Sequence, residues 1–345
     1  MGCSNVLELN DIRLSVLDLV PVDTQTTPGA ALRASIELAR AVERLGYHRF
    51  WVAEHHNMPG IASSSPPVLI AHLAEATSTL RVGSGGVMLP NHAPLVVAEQ
   101  FGMLEALHPG RVDLGIGRAP GTDQATAYAL RRTADLDVED FPRHLAELRA
   151  FLAGSSLGIR AVPAGENPPE IWLLGSSGYS AQLAGALGLP FAFAHHFSAR
   201  FTEPALELYR STFQPSESLS RPRVMVTAAV VGAETDEEAE RLAAPIGLSM
   251  LRLRAGRPGL LPTPEEALAH PYTPQEREAI GAITESHVIG GPETVRKGLL
   301  ELLDRTRPDE LMISTNVGDP AARLRSYELV KEVLTTSGSQ DPAAV

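Results

Sequence analysis

The chain has one cysteine, Cys3, in 345 residues. That excludes an intramolecular disulfide and any cysteine-based zinc site. No stretch approaches the roughly 18 uninterrupted apolar residues of a membrane-spanning helix. Positive charge is also short. Lys+Arg number 29 against 41 Asp+Glu, a formal net charge of −12, which is the wrong sign for a phosphate-backbone binder. The opening MGCSNV holds no apolar secretion core, and Val6 stands where a myristoylation pattern needs Ser or Thr. A soluble, reducing, cytoplasmic protein with neither nucleic-acid nor membrane partners is the expectation. What is present is a hydrophobic fraction of 44%, enough to bury a substantial core.

Short apolar runs alternate with amphipathic stretches along the whole chain. The runs cover 12–17, 49–52, 82–89, 111–116, 171–174, 191–194, 224–231 and 310–314, each of a length typical of a buried parallel strand. Helical periodicity follows each one, over 30–45, 67–77, 94–107, 139–152, 177–187, 201–213, 236–253 and 321–334, with an extra helix over 292–305. Eight β units each followed by a helix predict a single (β/α)8 TIM barrel across 1–345, of the α/β class. A doubly wound open sheet is the competing reading, but the first strand runs into LDLVPVDT with no glycine fingerprint. Two insertions interrupt the minimal barrel. Residues 118–137 follow the fourth strand, and the Pro-rich, polar 254–285 follow the seventh. The second reads as a mobile lid, and the tail 336–345 as a disordered end.

In such barrels chemistry sits at the C-terminal ends of the strands. Five of the 11 histidines fall there: His55, His56, His92, His195 and His196. Glu54, His55 and His56 leave the second strand directly and are candidate catalytic residues, since histidine serves as a base near neutral pH. Asn91, His92, His195 and His196 are candidate substrate-pocket residues. No metal is expected. His55 and His56 alternate in direction, and no carboxylate-rich ligand set accompanies the histidines. Gly175, Ser176, Ser177 and Gly178 join a strand to a helix start, where small residues and the helix N-terminus favour an anion. Arg118, after the neighbouring strand, can clamp a phosphate in bidentate fashion. Gly85 and Gly86 supply bare backbone on which a flat ring could rest.

Four stretches carry a family resemblance: WVAEHH at 51–56, RVGSGGVMLPNHAPLVVAEQ at 81–100, LHPGRVDLGIGRAPGTD at 107–123 and LGSSGYSAQLAGALGLP at 174–190. They closely resemble the luciferase-like flavin monooxygenases, in order, over most of the chain. GGPETVRKGLLELL at 290–303 and DELMIS at 309–314 are similar to that family's last helix and strand. The nearest likeness is to the subgroup holding antibiotic-pathway monooxygenases. The resemblance implies a barrel that binds reduced FMN, or the deazaflavin F420, and dimerises through its second and third helices. It implies that Arg118, Ser176, Ser177 and Tyr179 hold the cofactor phosphate, and that a non-prolyl cis peptide lies at Gly85–Gly86. His55 matches the family's general base. A two-component monooxygenase is implied, in which a separate NAD(P)H:flavin reductase delivers FMNH2, and O2, through a C4a-peroxyflavin, oxygenates a small, mostly apolar substrate. F420-dependent hydride transfer, and a flavin-binding protein without activity, are the alternatives. The founding light-emitting members carry a reactive cysteine just before the arginine. Gly117 stands there, so light emission is not implied.

Overall fold

The computed structural model describes residues 12–119, 123–131, 140–154 and 158–335. The expected disordered tail and much of the 118–137 insertion lie outside them. The chain opens with β1 (Arg13–Asp18), α1 (Pro28–Arg44), β2 (Arg49–Val52) and α2 (Pro66–Ala76). Then come β3 (Arg81–Ser84), β4 (Val87–Met88), α3 (Pro94–Leu107) and β5 (Val112–Gly117). After α4 (Gln124–Arg131) and α5 (Phe141–Leu152) follow β6 (Glu170–Gly175), α6 (Gly178–Leu187) and β7 (Phe191–Phe193). Next are α7 (His195–Ser198), α8 (Thr202–Thr212), β8 (Val224–Gly232) and α9 (Asp236–Arg254). The chain ends with α10 (Pro264–Leu268), α11 (Pro274–Thr284), β9 (Val288–Gly290), α12 (Pro292–Thr306), β10 (Glu310–Ser314) and α13 (Pro320–Thr335).

The strands pair in parallel in the order β10, β1, β2, β3, β5, β6, β7, β8, and β8 pairs back to β10. The sheet therefore closes into the expected (β/α)8 barrel. The run expected as one strand over 82–89 is two strands, interrupted at Gly85–Gly86, whose peptide bond is cis. β3 and β4 both pair with β5 and share one place in the wall. β9 was not anticipated. It pairs with the far end of β8, outside the closed ring. The stretch 254–285 contains two short helices, α10 and α11, both seated on α9. Thr263 with Glu266 and Thr273 with Glu276 form capping boxes that start them. Among the described residues no helix is long and apolar enough to cross a membrane.

Alternation along each strand sorts the barrel into layers. Leu14, Val16, Phe50, Val52, Leu311 and Ile313 point outward into the core beneath the helices. Their neighbours Leu17, Trp51, Trp172 and Met312 point inward as a separate cluster. Lower in the interior sits an ionic layer. Arg49 is 1% exposed and bonds Asp113 Oδ2 at 2.7 Å and Glu310 Oε1 at 2.6 Å. Trp51 Nε1 donates to the same Asp113 oxygen at 2.9 Å.

Candidate active site

A cleft opens at the C-terminal mouth of the barrel. Its floor is the upper inward layer of the strands: Leu17, Trp51, Leu174, Ala192 and Met312, with Gly85 beside them. Leu19, Ala53, Ala194 and Phe197 extend the wall, and His55, His196 and Thr227 are its polar members. Glycine is required at Gly86, where a Cβ would stand 2.8 Å from the Gly115 carbonyl oxygen; one on Gly85 would press on Leu17 Cδ1 at 2.6 Å, the end of a flexible side chain. The bare backbone anticipated there is present, in the cis form implied by the family resemblance.

His55 reaches the cleft because its loop is tied down. Its backbone N–H donates to the Ser63 carbonyl at 3.0 Å, and Ser63 Oγ donates to the Ala53 carbonyl at 2.6 Å. His55 Nδ1 is buried with no hydrogen-bond partner among the described residues. Burial lowers the pKa of the ring, against the opposing charge of Glu54. The alternation read from the sequence holds, for His56 turns away. Its Nε2 lies 2.8 Å from Glu54 Oε1. His92 Nε2 lies 2.7 Å from that same oxygen, and Glu54 Oε2 accepts the Met88 N–H at 3.1 Å. Burial of Glu54 opposes its ionisation, but the two histidine contacts and the backbone donor outweigh it and hold the carboxyl down at about 2. Glu54, 1% exposed, and His56 are not among the cleft-lining residues.

The pocket candidates divide. His196 lines the cleft, and its Nδ1 lies 3.2 Å from the Thr227 carbonyl. A carbonyl only accepts, so Nδ1 carries the proton and Nε2 keeps its lone pair. Burial drives this ring's pKa to about 4, with the Thr227 contact opposing. His195 lies behind the wall, 4% exposed, with Nδ1 2.8 Å from Thr202 Oγ1. Asn91 is buried in the turn after β4 and does not line the cleft. His92 serves the Glu54 cluster instead. The residues missed from sequence are the apolar ones. The last inward side chain of each strand would have found Leu17, Trp51, Leu174 and Met312.

The anion-binding candidates come together on the rim. Arg118 follows β5, and its guanidinium carbon lies 4.2 Å from the ring centroid of Tyr179, the second residue of α6. No carboxylate pairs with Arg118 among the described residues. Ser177 is the N-cap of α6 and its side chain makes no capping bond. Ser176 and Ser177 are exposed, and Gly175, Gly178 and Arg118 are partly so. An arginine, two free hydroxyls and the N-terminus of a ten-residue helix thus face solvent together.

Residues 12–310 match the family described as luciferase-like monooxygenase. A "Luciferase-like monooxygenase" of Escherichia coli is 47% identical over 325 residues, covering 93% of this chain and 97% of that protein. "N-acetyl-S-alkylcysteine monooxygenase" of Bacillus subtilis is 34% identical over 330 residues, covering 94% of this chain and 98% of its own length. Among solved structures, apo-MsnO8 superposes with a TM-score of 0.86 at 41% identity, covering 93% of this chain and 98% of that one.

Proposed function

The chain belongs to the luciferase-like monooxygenase family and is an oxidoreductase, and from that premise we propose that it is the oxygenating component of a two-component, FMNH2-dependent monooxygenase. The observation that carries the cofactor is Arg118: a partly exposed guanidinium held over Tyr179, unpaired with any described carboxylate, beside the α6 N-terminus. That donor set matches a phosphomonoester. The bare backbone at Gly85–Gly86, with a carbonyl oxygen closing on Gly86, matches the face of a tricyclic ring. Reduced flavin, when bound, supplies the two electrons that divide dioxygen between product and water.

The chain's own residues do the rest. Arg118, Ser176 and Ser177 bind the phosphate, and Gly175, Gly178 and Tyr179 shape its cradle. Leu17, Trp51, Leu174 and Met312 keep the cleft dry. His55, a lining residue of the cleft, holds or releases a ring proton there. Glu54 and His56 fix the loop that carries His55. His196 presents a lone pair to the substrate from the same wall. The lining fits a small, mostly apolar organic substrate. The segment 254–285 is the proposed lid. Its Leu261 bonds backbone to backbone with Val22 and Thr24 of the β1 loop, yet none of its residues lines the cleft, so closure is a movement onto the mouth.

A separate reductase is part of the proposal, because the chain shows no nicotinamide fingerprint. The partner copy is another. Val68 of α2 and Val96, Met103 and Leu107 of α3 are exposed apolar side chains, a face that fits a homodimer.

The test is anaerobic titration of the purified protein with FMNH2 and, separately, with reduced F420, followed by mixing with oxygenated buffer. Tight FMNH2 binding with a flavin–oxygen adduct supports the reading. Preference for F420 without an adduct moves the chain to hydride transfer. Steady NADH oxidation by the protein alone removes the separate reductase.

A further inference from the structure

Glu54, His56 and His92 form a cluster that the proposed flavin chemistry uses only as a brace. Glu54 and His56 leave β2, and His92 follows the turn after β4. One ligand-capable atom from each lies within 4.8 Å of the others. The two imidazole Nε2 atoms stand 2.8 and 2.7 Å from a single carboxylate oxygen. Nitrogen and oxygen ligands sit about 2.0–2.2 Å from a zinc-sized ion, which holds neighbouring ligand atoms roughly 3–3.4 Å apart in near-tetrahedral geometry. Opening these contacts by a few tenths of an ångström therefore makes room for an ion. The approach is also set. Glu54 is 1% exposed, and its second oxygen is anchored by the Met88 N–H at 3.1 Å, the outer-shell support that orients a ligating carboxylate. The side chain of His92 is 30% exposed, which leaves an entry side and an open coordination position.

We propose that Glu54, His56 and His92 bind one divalent transition-metal ion of the zinc, cobalt or nickel class. Two imidazoles and one carboxylate favour such ions over magnesium or calcium, which prefer all-oxygen sets. The expectation of no metal rests on the opposite directions of His55 and His56 and on the absence of a carboxylate-rich ligand set in the sequence. His92, 38 residues beyond Glu54, completes the set from another loop. To become a ligand each imidazole must present a bare Nε2 in place of the N–H it directs at Glu54, so the ring proton moves to Nδ1. The proposal stands apart from the flavin reading, since it concerns the chain without cofactor.

Chelator-treated, flavin-free protein is dialysed against Zn2+ alone and Co2+ alone. Wild type is compared with His56→Ala, His92→Ala and, as a distant histidine control, His270→Ala. The expected result is one ion per chain, bound at least about tenfold more weakly in either cluster variant and unchanged in His270→Ala. The wild type is also followed by NMR. Co2+ should broaden the ring signals of His56 and His92 first, which decides the matter even if a variant fails to fold. Failure of wild type to retain an ion overturns the proposal. So does equal binding by both cluster variants, or broadening confined to other histidines. The cluster is then a hydrogen-bonded brace only. FMN titration of the same samples shows whether the flavin reading stands regardless.

Discussion

Replacing Arg118 by Ala isolates the phosphate contact from everything else the flavin touches. Among the described residues the guanidinium has no carboxylate partner, and its contact is the Tyr179 ring at 4.2 Å. Its loss therefore strands no buried charge, and folding stability should change by less than about 0.5 kcal/mol. In the complex the same group would pair with a phosphate dianion. Loss of such a charge-assisted contact costs about 2–3 kcal/mol, or roughly 30- to 150-fold in Kd. Riboflavin carries the same ring without the phosphate, so the assay is a thermodynamic cycle: FMN and riboflavin, each titrated into wild type and Arg118→Ala by flavin fluorescence. FMN affinity should fall by that factor, while riboflavin affinity moves less than about threefold, because ring contacts are untouched. A residual preference for FMN should survive from the α6 N-terminus, worth about 0.3–1 kcal/mol. Arg118→Lys should fall between, having the charge without the fork. Equal loss for both ligands, or no loss for FMN, would refute the assignment of Arg118 to the phosphate.

Three further outcomes follow from the same geometry. His55→Ala should bind FMN normally yet form product at least about a hundredfold more slowly, which single-turnover product analysis against wild type checks; wild-type turnover would remove His55 from the chemistry. His195 and His196 are both pushed by burial to about 4, so the unfolded chain binds more protons between pH 6.5 and 4. Stability should be full above about pH 6.5 and decline as pH falls toward 4, by about 1.4 kcal/mol per unit for each ring; urea denaturation at pH 7, 6 and 5 measures the slope, and His196→Gln should flatten it. Met103 and Leu107 are 55% and 67% exposed on α3, and changing both to Glu should turn a dimer into a monomer by light scattering; a wild-type monomer, or an unaffected dimer, would place the interface elsewhere.

The barrel was legible because each of its staves is a short apolar run and each run is followed by a 3.6-residue pattern. Even β7, with three residues, announces itself as Phe191–Phe193. What the sequence did not show was set by contacts made at a distance. The break between β3 and β4 falls at Gly85–Gly86, where Leu17, Trp51 and Gly115, none of them near in sequence, crowd the bare backbone. The pairing of His92 with Glu54 likewise joins two loops, so His92 read as a pocket residue. The helices α10 and α11 were different. Their Thr-Pro-x-Glu starts, at Thr263 and Thr273, are capping-box signatures that were present in the sequence, obscured by the surrounding prolines. The polar rim residues were found by residue type, whereas the apolar floor needed the strand phase.

That phase also explains why one barrel can hold both an ionic interior and a dry cleft. Two residues along a strand return to the same face, so Arg49 and Trp51 share the inward side of β2, as Glu170 and Trp172 share that of β6. The charged member of each pair lies toward the strand N-termini and the indole toward the mouth. The indoles meet edge to face at 5.6 Å, and the Arg49 guanidinium lies 4.9 Å from the Trp172 ring centroid. Trp51 spends its one polar hydrogen downward, on Asp113 at 2.9 Å, so the ring it offers to the cleft carries no unsatisfied donor. The ionic layer thus fixes the orientation of the cleft floor while the indoles shield its charges from the site. In such a floor a cofactor or substrate meets apolar surface from below, and the polar contacts that discriminate between ligands come from the wall, at His55, His196 and Thr227, and from Arg118 on the rim.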